Sequence, residues 1–287
     1  MARYTTFRIG GTAALAVFPK TRAELISALE AARETETPAA VIGKGSELLL
    51  PDGRFAGALI LTSGCDRITV DGVHIEADCG ASLAAVALTA RLHSLTGAEF
   101  AAGIPGTVGG GVLMNAGAFG GTVGGITARS AYWDREFGTV GELLASEHRF
   151  GTRTSVYAEN DRFVILGATL RLTEGARSEI DRAMEDYRDR RQRTQPLELP
   201  NAGSVFRHPV GHFAGKLIED CGLKGLRVGG AEVSLKHAGF IVNRGGATAS
   251  DVLALVEQIR SRVLAETGIY LECELRRLCE DGHIRSV

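Results

Sequence analysis

The chain has 287 residues, of which 45% are hydrophobic and 23% are charged, and its formal net charge is -2. This length allows one large domain or two to three small ones with ample core, and the composition is that of an ordinary soluble globular protein. The near-neutral charge argues against a general nucleic-acid binder. Because no apolar stretch has the length of a membrane span or the pattern of a signal peptide, we expect no membrane association.

The first sixty residues predict a small β-α-β-loop-β unit. Thr21, with Glu24 three residues later, predicts a capping box at the start of its helix. A glycine turn at residues 43–48 directly follows the second strand. The predicted strands are Leu15–Phe18, Ala39–Ile42 and Ala58–Leu61.

From residue 68 the apolar pattern changes to alternation, which is typical of strands. Asp71-Gly72 between two alternating stretches predicts a hairpin, and Ser82 starts a helix. Strands are expected again at Ile126–Trp133 and Phe163–Leu172. We therefore expect a second α+β unit over about residues 61–175.

The stretch 97–121 between these elements contains nine glycines. Its spacing fits neither an amphipathic helix nor an alternating strand. Between Gly103 and Asn115 it has no acid, base or metal ligand, so its backbone amides suit a phosphate or pyrophosphate. It is neither a P-loop nor the G-x-G-x-x-G dinucleotide fingerprint, and a tight turn packed on a strand is the alternative.

The C-terminal part begins with a basic helix over residues 178–194, whose arginines read by themselves as a solvated face. A small-residue turn at 201–209, a helix at Ala214–Cys221 and a strand at Gly239–Asn243 follow, and Ser250 is expected to cap the last long helix. Residues 269–276 alternate as a final strand, with Ile269, Leu271, Cys273 and Leu275 on one face and Tyr270, Glu272, Glu274 and Arg276 on the other. From this alternation alone, Glu272 and Glu274 are equivalent candidates for a site carboxylate.

The five cysteines are odd in number and widely spread, with no C-x-x-C pair. They indicate neither a disulfide framework nor a zinc site, and we expect a reducing, cytoplasmic compartment. His208 and His212 are four residues apart, but Pro209 and Gly211 would break a helix that aligned them, so we expect no metal. His237 is predicted to lie on a strand, where it is either structural or part of a substrate site.

Seven segments in order resemble the UDP-N-acetylenolpyruvoylglucosamine reductase (MurB) family, in its compact type, over nearly the whole chain. These segments are Thr6–Ala13, Gly43–Leu49, Gly103–Gly110 with Asn115–Gly117, Gln195-Pro196, Ala202–Phe206, Val233–Asn243 and Leu271–Arg276. The resemblance implies an α+β protein. Its FAD-binding fold has two α/β subdomains, of the PCMH or vanillyl-alcohol-oxidase type, and is followed by an α+β substrate domain. We expect the FAD-binding domain at residues 1–175, with subdomains of about 1–60 and 61–175. The substrate domain is expected at 176–287, and its last strand, 269–278, is expected to reach the active site.

The resemblance also implies an activity. NADPH reduces non-covalently bound FAD, which then passes hydride to the enolpyruvyl double bond of UDP-GlcNAc-enolpyruvate, and the product is UDP-N-acetylmuramate, a peptidoglycan precursor. We expect a monomer with a nucleotide-sugar substrate. The implied cofactor-binding residues are Gly43, Lys44, Gly45, Ser46, Glu47, Leu48, Gly103, Ile104, Pro105, Gly106, Thr107, Gly109, Gly110, Asn115, Ala116 and Gly117.

The chemistry requires cations or donors for an enolate-like intermediate and a general acid for the adjacent carbon. By matching motifs, Ser204 is the proton donor, Arg153 faces the substrate carboxylate, and Glu274 completes the site. The substrate's diphosphate and carboxylate need further cations, for which Arg207, His208 and the arginines of 188–193 are candidates.

Four departures from the family pattern bear on substrate identity: Glu47 in the first loop, Phe119 and Thr152 at tyrosine positions, and Arg207-His208 in place of Lys-Asn. They leave two alternatives open. One is a related FAD enzyme with a different substrate, and the other is a flavin-binding protein without catalysis.

Overall fold

The computed structural model describes residues 1–287 and divides into two compact units. We call them the terminal unit (Met1–Ala14, Gly45–Gly57 and Gln192–Val287) and the central unit (Leu15–Lys44 and Ala58–Arg191). Two early segments of the chain thus group with its C-terminal third.

The structure contains nineteen strands and eight α-helices. The strands are β1 (Thr12–Val17), β2 (Ala39–Ile42), β3 (Leu48–Leu49), β4 (Arg54–Leu61), β5 (Ile68–Asp71), β6 (His74–Asp78), β7 (Leu95–Thr96), β8 (Gly117–Ala118), β9 (Gly121–Thr122), β10 (Thr127–Asp134), β11 (Thr139–Leu144), β12 (Phe163–Arg171), β13 (Thr173–Glu174), β14 (Asn201–Ser204), β15 (Arg227–Val228), β16 (Ala231–Val233), β17 (Phe240–Asn243), β18 (Arg276–Leu278) and β19 (Ile284–Ser286). The helices are α1 (Arg22–Glu34), α2 (Leu83–Leu92), α3 (Val108–Leu113), α4 (Val123–Ile126), α5 (Val156–Glu159), α6 (Arg177–Thr194), α7 (Ala214–Asp220) and α8 (Ala249–Thr267). Four short 3-10 helices cover Ala2–Tyr4, Thr62–Gly64, Glu99–Ala101 and Ala145–His148.

The central unit is built on a five-stranded sheet with the order β11-β10-β12-β6-β5. Its central strand β12 is buried on both faces: Val164 and Leu166 belong to a core cluster with Leu25 of α1, whereas Ile165 belongs to a second cluster with Leu83 of α2. This alternation follows from the two-residue period of a strand. The predicted hairpin is confirmed, with Gly72 and Val73 forming the turn between β5 and β6.

The predicted β-α-β unit is also confirmed. Strands β2 and β4 pair in parallel, with Ala39 opposite Ala58, and the three-stranded sheet has the order β1-β4-β2. The Thr21 side chain accepts from the amide of Glu24, as predicted. The other half of the capping box is absent, because the Glu24 carboxylate accepts instead from the amide of Lys20 over 2.8 Å.

The terminal unit packs α7 and α8 with a four-stranded antiparallel sheet of order β14-β17-β16-β15 around one core cluster. Ser250 does not cap α8, as the sequence had suggested. The cap is Thr248, which forms a capping box with Asp251. The amide and hydroxyl of Ser250 donate instead to the carboxylate of Asp52, over 3.0 and 2.9 Å, and Asp52 also accepts from the amide of Ala249 over 2.6 Å.

Two predicted elements differ from the structure. Residues 108–113, predicted to be loop, form helix α3, whose N-cap Thr107 accepts from the amide of Gly110 over 3.4 Å. The predicted strand 269–276 is regular only from Arg276, and before it a single bridge pairs Cys273 with Phe206. Its apolar face is buried as predicted, but Glu274 on the opposite face is buried as well, at 7% exposure.

Candidate active site

The first glycine loop presents unused backbone donors. The amides of Gly43, Lys44, Gly45 and Ser46 donate no hydrogen bond to the protein, although Lys44 is the only exposed residue of the four. Gly45 has φ +58°, a left-handed conformation that favours glycine. Consecutive amides left free at the end of a buried strand form an anion-binding site, which fits a pyrophosphate.

Within the central unit this loop meets the second one at Gly43. A Cβ at Gly43 would lie 2.3 Å from Oγ1 of Thr107, so only glycine fits. A Cβ at Gly109 would lie 3.1 Å from Cβ and 3.2 Å from the carbonyl oxygen of Cys79, and the amide of Gly109 donates to that carbonyl over 2.9 Å. Gly43 therefore lets its loop pack directly against the side chain of Thr107, and Gly109 lets the start of α3 pack against Cys79.

The second loop uses most of its amides internally. Those of Ile104, Gly106, Val108 and Gly109 donate to carbonyls of the protein, whereas that of Thr107 donates to none. Its glycines therefore supply close packing more than free donors. Within the central unit, the residues present fit FAD in this sense: Gly43 and Lys44 leave their amides unused, and the segment 103–110 packs closely beside them.

Asn115 connects the second loop to the turn that carries Arg153. Its Nδ2 donates to the carbonyl of Gly151 over 2.8 Å, and its Oδ1 accepts from the amide of Gly124 over 2.8 Å. Arg153 has φ +56° in a tight turn in which Gly151 and Thr154 exchange backbone hydrogen bonds. The side chain of Asn115 is thus engaged with the protein, and it supports Arg153 through the backbone.

A buried polar network lies next to this turn. The His148 ring stacks on Phe150, with ring centroids 4.8 Å apart, and its Nδ1 is 2.8 Å from the carbonyl of Leu144. Because a carbonyl only accepts, Nδ1 carries the proton, and Nε2 accepts from the hydroxyl of Ser130 over 2.7 Å. The Tyr157 hydroxyl is 2.7 Å from the same Ser130 oxygen and donates to it.

Burial keeps this network neutral. It raises the pKa of Tyr157 to about 12 and lowers the pKa of His148, since burial disfavours the charged form of each side chain. The network therefore holds the backbone before Arg153 without adding charge beside it.

In the terminal unit, Ser204 and Glu274 lie on adjacent extended segments. Ser204 ends β14 opposite Phe240, and its Oγ donates to the carbonyl of Phe206 over 3.2 Å. The amide of Glu274 donates to the carbonyl of Val205 over 2.7 Å. The pairing of these segments thus brings together two residues that are seventy positions apart in the chain.

The structure separates the two carboxylates that the alternation left equivalent. Glu274 is buried, whereas the side chain of Glu272 is 68% exposed and lies 3.6 Å from the Arg207 guanidinium. A buried carboxylate on the segment next to Ser204 is the better candidate for a site residue. Arg207 is held nearby, because its amide donates to the carbonyl of Glu272 over 3.0 Å.

Two histidines border this region. Nδ1 of His208 accepts from the amide of Ala214, the first residue of α7, over 3.3 Å. His237 accepts through Nδ1 from the amide of Gly239 over 3.1 Å, and burial lowers its pKa. A Cβ at Gly239 would lie 3.0 Å from Cε1 of His237 and 3.4 Å from Oγ of Ser204. His237 and Ser204 therefore flank the same glycine, a neighbourhood that the sequence did not reveal.

Ser204, Glu274, Arg207 and His208 thus belong to the terminal unit, whereas Arg153, Asn115 and the loop 103–110 belong to the central unit. No group of three or more His, Cys, Asp or Glu side chains is placed to hold a metal ion. None of the helices combines the length and the apolar character needed to cross a bilayer.

Comparison with known proteins identifies both parts of the chain. A family model described as "FAD binding domain" matches residues 13–133, and one described as "UDP-N-acetylenolpyruvoylglucosamine reductase, C-terminal domain" matches 195–278. Curated proteins named UDP-N-acetylenolpyruvoylglucosamine reductase are similar to this chain over nearly their full lengths. That of Lactococcus lactis subsp. cremoris is 42% identical over 98% of this chain and 93% of its own. That of Clostridioides difficile is 41% identical over 98% and 92%. The crystal structure of UDP-N-acetylenolpyruvylglucosamine reductase from Thermus caldophilus superposes with a TM-score of 0.81, at 35% identity and 96% coverage of both chains.

Proposed function

Because the chain belongs to the UDP-N-acetylenolpyruvoylglucosamine reductase family, we propose that it reduces UDP-GlcNAc-enolpyruvate to UDP-N-acetylmuramate with NADPH and FAD. The observation that carries this proposal is similarity at about 41–42% identity over nearly the whole of both chains. An FAD-binding domain and the reductase's own C-terminal domain occur in the expected order. The product is a precursor of peptidoglycan.

FAD, when bound, would supply the hydride-transfer chemistry between NADPH and the enolpyruvyl double bond. We assign its binding to residues 43–48, 103–110 and 115–117, within the proposed FAD-binding domain of residues 1–175. The free amides of Gly43–Ser46 would hold the pyrophosphate. Asn115 contributes by supporting the Arg153 turn, since both ends of its amide already bind the protein.

The remaining chemistry falls to side chains of the chain itself. Ser204 would donate the proton to the carbon next to the site of hydride addition, and this role requires a polarised hydroxyl. Ser204 is half-buried, with His237 on the other side of Gly239. Glu274, buried on the adjacent segment, would complete the site, and Arg153 would bind the substrate carboxylate, where negative charge develops.

Arg207 and His208 would bind the nucleotide-sugar substrate, within the proposed substrate domain of 176–287. The Arg207 side chain is 40% exposed and its guanidinium lies near only one carboxylate, that of Glu272. Because Nδ1 of His208 accepts from the helix, Nε2 carries the proton and remains a donor for an anionic ligand.

We further propose that the protein acts as a monomer in the cytoplasm. All five cysteines are free thiols and four are buried, as is usual for proteins of reducing compartments. Size-exclusion chromatography with light scattering would test the monomer.

The test is an anaerobic titration of the purified protein, monitored through the visible spectrum of its flavin. Addition of NADPH should bleach the flavin, and UDP-GlcNAc-enolpyruvate should restore the colour. In Ser204→Ala we expect bleaching at the wild-type rate and recovery slowed by about 10²-fold or more. Unchanged recovery would contradict the assignment of Ser204. Bleaching without recovery in the wild type would point to a different acceptor, and a protein that takes up no FAD would overturn the assignment of both glycine loops.

A further inference from the structure

His148 lies at one end of a buried chain of hydrogen bonds in the central unit. His148, Ser130 and Tyr157 are all at most 1% exposed. The Tyr157 hydroxyl donates to the Ser130 oxygen, and the Ser130 hydroxyl donates to Nε2 of His148, each over 2.7 Å. Nδ1 of the ring donates to the carbonyl of Leu144 over 2.8 Å. Because each of these hydrogens has a single acceptor, the chain runs in one direction, from Tyr157 to Leu144.

This direction exists only while the imidazole is neutral. A proton added at Nε2 turns that atom from an acceptor into a donor. Three protons, those of Nε2, Ser130 and Tyr157, must then share the two contacts that join these side chains. One donor is left without an acceptor at a buried position, which costs free energy. Protonation of His148 therefore breaks the chain of hydrogen bonds at one of its members.

Phe150 connects the imidazole to the turn that carries Arg153. The two rings stack with their planes 5° apart and their centroids 4.8 Å apart. On the Gly124 side the Phe150 ring is packed so closely that a Cβ on this glycine would lie 2.6 Å from Cγ of the ring. The amide of Gly124 donates to Asn115, and Asn115 donates to the carbonyl of Gly151. A shift of the imidazole would thus reach the turn through rings and hydrogen bonds already in contact.

The backbone of this assembly is held in an unfavourable conformation. Arg149 has φ +48° and Arg153 has φ +56°, in the left-handed region that residues with a Cβ rarely adopt. With Asn115 they are three of the seven non-glycine residues of the chain with positive φ. Such conformations persist only where the surrounding structure fixes them, and they concentrate at functional sites. The turn therefore depends on its supports, of which the imidazole is one.

The surroundings of the imidazole keep it neutral near pH 7. Tyr157 meets the ring edge-on, with centroids 5.9 Å apart, and its hydroxyl stays protonated because burial raises its pKa to about 12. Burial lowers the pKa of His148, and the Leu144 carbonyl and the Glu147 charge oppose this only in part. The charged side chains next to Ser130 and His148 in the chain, and the ion-pair partners of those side chains, are all exposed: Arg129, Glu147, Arg149, Glu142 and Glu159.

We propose that His148 is a positioning residue for substrate binding: when neutral it fixes, through Phe150, the turn that presents Arg153 to the substrate carboxylate, and when protonated it releases that turn. This inference rests on the proposed function and adds to it an acid-sensitive support for Arg153. His148 itself is buried and touches no substrate. Its effect should therefore appear only for ligands that have the carboxylate.

The test measures the Kd of the oxidised, FAD-loaded protein for two ligands at about pH 7.5 and 5.5, on either side of the ordinary histidine pKa. UDP-GlcNAc-enolpyruvate has the carboxylate, and UDP-GlcNAc does not. The ratio of the first Kd to the second cancels the titration of His208, which would bind both ligands. In the wild type we expect this ratio to rise about threefold or more as the pH falls. The sign is diagnostic, because a histidine in direct contact with the carboxylate would bind it more tightly when protonated.

Two substitutions separate the titration of His148 from its support of the turn. His148→Gln cannot be protonated but keeps an oxygen that accepts from Ser130, so its ratio should change less than about 1.5-fold over the same pH range. His148→Leu breaks both hydrogen bonds of the ring and should raise the ratio about tenfold already at pH 7.5. The matched control is His74→Gln, which replaces an exposed histidine of the same unit and should keep the wild-type profile.

A ratio that is independent of pH in the wild type, or that changes equally in His148→Gln, would overturn the inference. FAD content and Tm are measured for each variant at both pH values. If His148→Leu does not fold, Ser130→Ala takes its place, since it keeps the ring, removes the donor to Nε2 and should raise the ratio at pH 7.5. Turnover by the wild type in the same preparation separates the two proposals. An inactive wild type refutes the function, whereas an active wild type with a pH-independent ratio refutes only the role of His148.

Discussion

Replacement of Asn115 tests how the central unit supports Arg153. The Asn115 side chain bridges the Gly151 carbonyl and the Gly124 amide, each over 2.8 Å, and its own backbone has φ +43°. Asparagine adopts this left-handed conformation more readily than alanine. Asn115→Ala therefore removes two hydrogen bonds and leaves the backbone in an unfavourable region.

We expect Asn115→Ala to lower the free energy of unfolding by about 3 kcal/mol. The two part-buried hydrogen bonds contribute about 0.5–1.5 kcal/mol each, and alanine in the left-handed region costs about 1 kcal/mol more. Asn115→Gly separates these terms, because glycine adopts the backbone freely and loses only the hydrogen bonds. For a chain of this size the full effect corresponds to a fall in Tm of about 6–12 °C.

The assay is scanning calorimetry of the FAD-loaded variants, together with the Kd for FAD and kcat/KM for the substrate. Asn160→Ala is the control, since exposed Asn160 makes one side-chain hydrogen bond, to the amide of Arg162. We expect kcat/KM to fall while the Kd for FAD changes less than about threefold. A Tm for Asn115→Ala within about 1 °C of wild type would refute the bridging role. A loss of FAD affinity at unchanged Tm would instead make Asn115 a direct ligand of the cofactor.

Three further predictions concern other parts of the structure. Gly239→Ala would press a Cβ against Ser204 and His237, so rapid mixing should show flavin reoxidation by substrate slowed by about tenfold or more. Its reduction by NADPH should be unchanged, and equal reoxidation rates would contradict the packing argument. Asp52→Ala removes a carboxylate from the start of α8 and should lower the free energy of unfolding in urea by about 1–2 kcal/mol; an unchanged urea midpoint would show that Asp52 is dispensable there. Burial lowers the pKa of both His148 and His237, so the unfolded chain takes up these protons first. Their contribution to stability should be complete above about pH 6.5 and decline as the pH falls through that value toward the folded-state pKa. A urea midpoint that rises between pH 7.5 and 5.5, about that value, would contradict this sign.

The elements predicted from the sequence are those set by local chemistry. Thr21 caps its helix and Gly72 lies in its hairpin turn, because a hydroxyl oxygen and a left-handed backbone act over a few residues. The glycine run 108–113 was misread for the same reason: glycine disfavours helix in isolation. In the folded chain, contact between Gly109 and Cys79 is what requires glycine inside α3. The predicted cap of α8 lies two residues from the observed one, because Ser250 and Thr248 both have a hydroxyl that can cap a helix.

The sequence by itself determined the family and the elements that local chemistry sets, because ordered motifs record backbone and side-chain requirements directly, and from the same motifs it predicts three catalytic residues. Only the tertiary structure decided which polar groups are buried and which residues lie next to them. It buried Glu274 and exposed Glu272, it placed His237 across Gly239 from Ser204, and it turned Arg191 toward Gly103. Such neighbourhoods depend on pairings between residues far apart in the chain, and a local period contains no information about which partner the fold supplies.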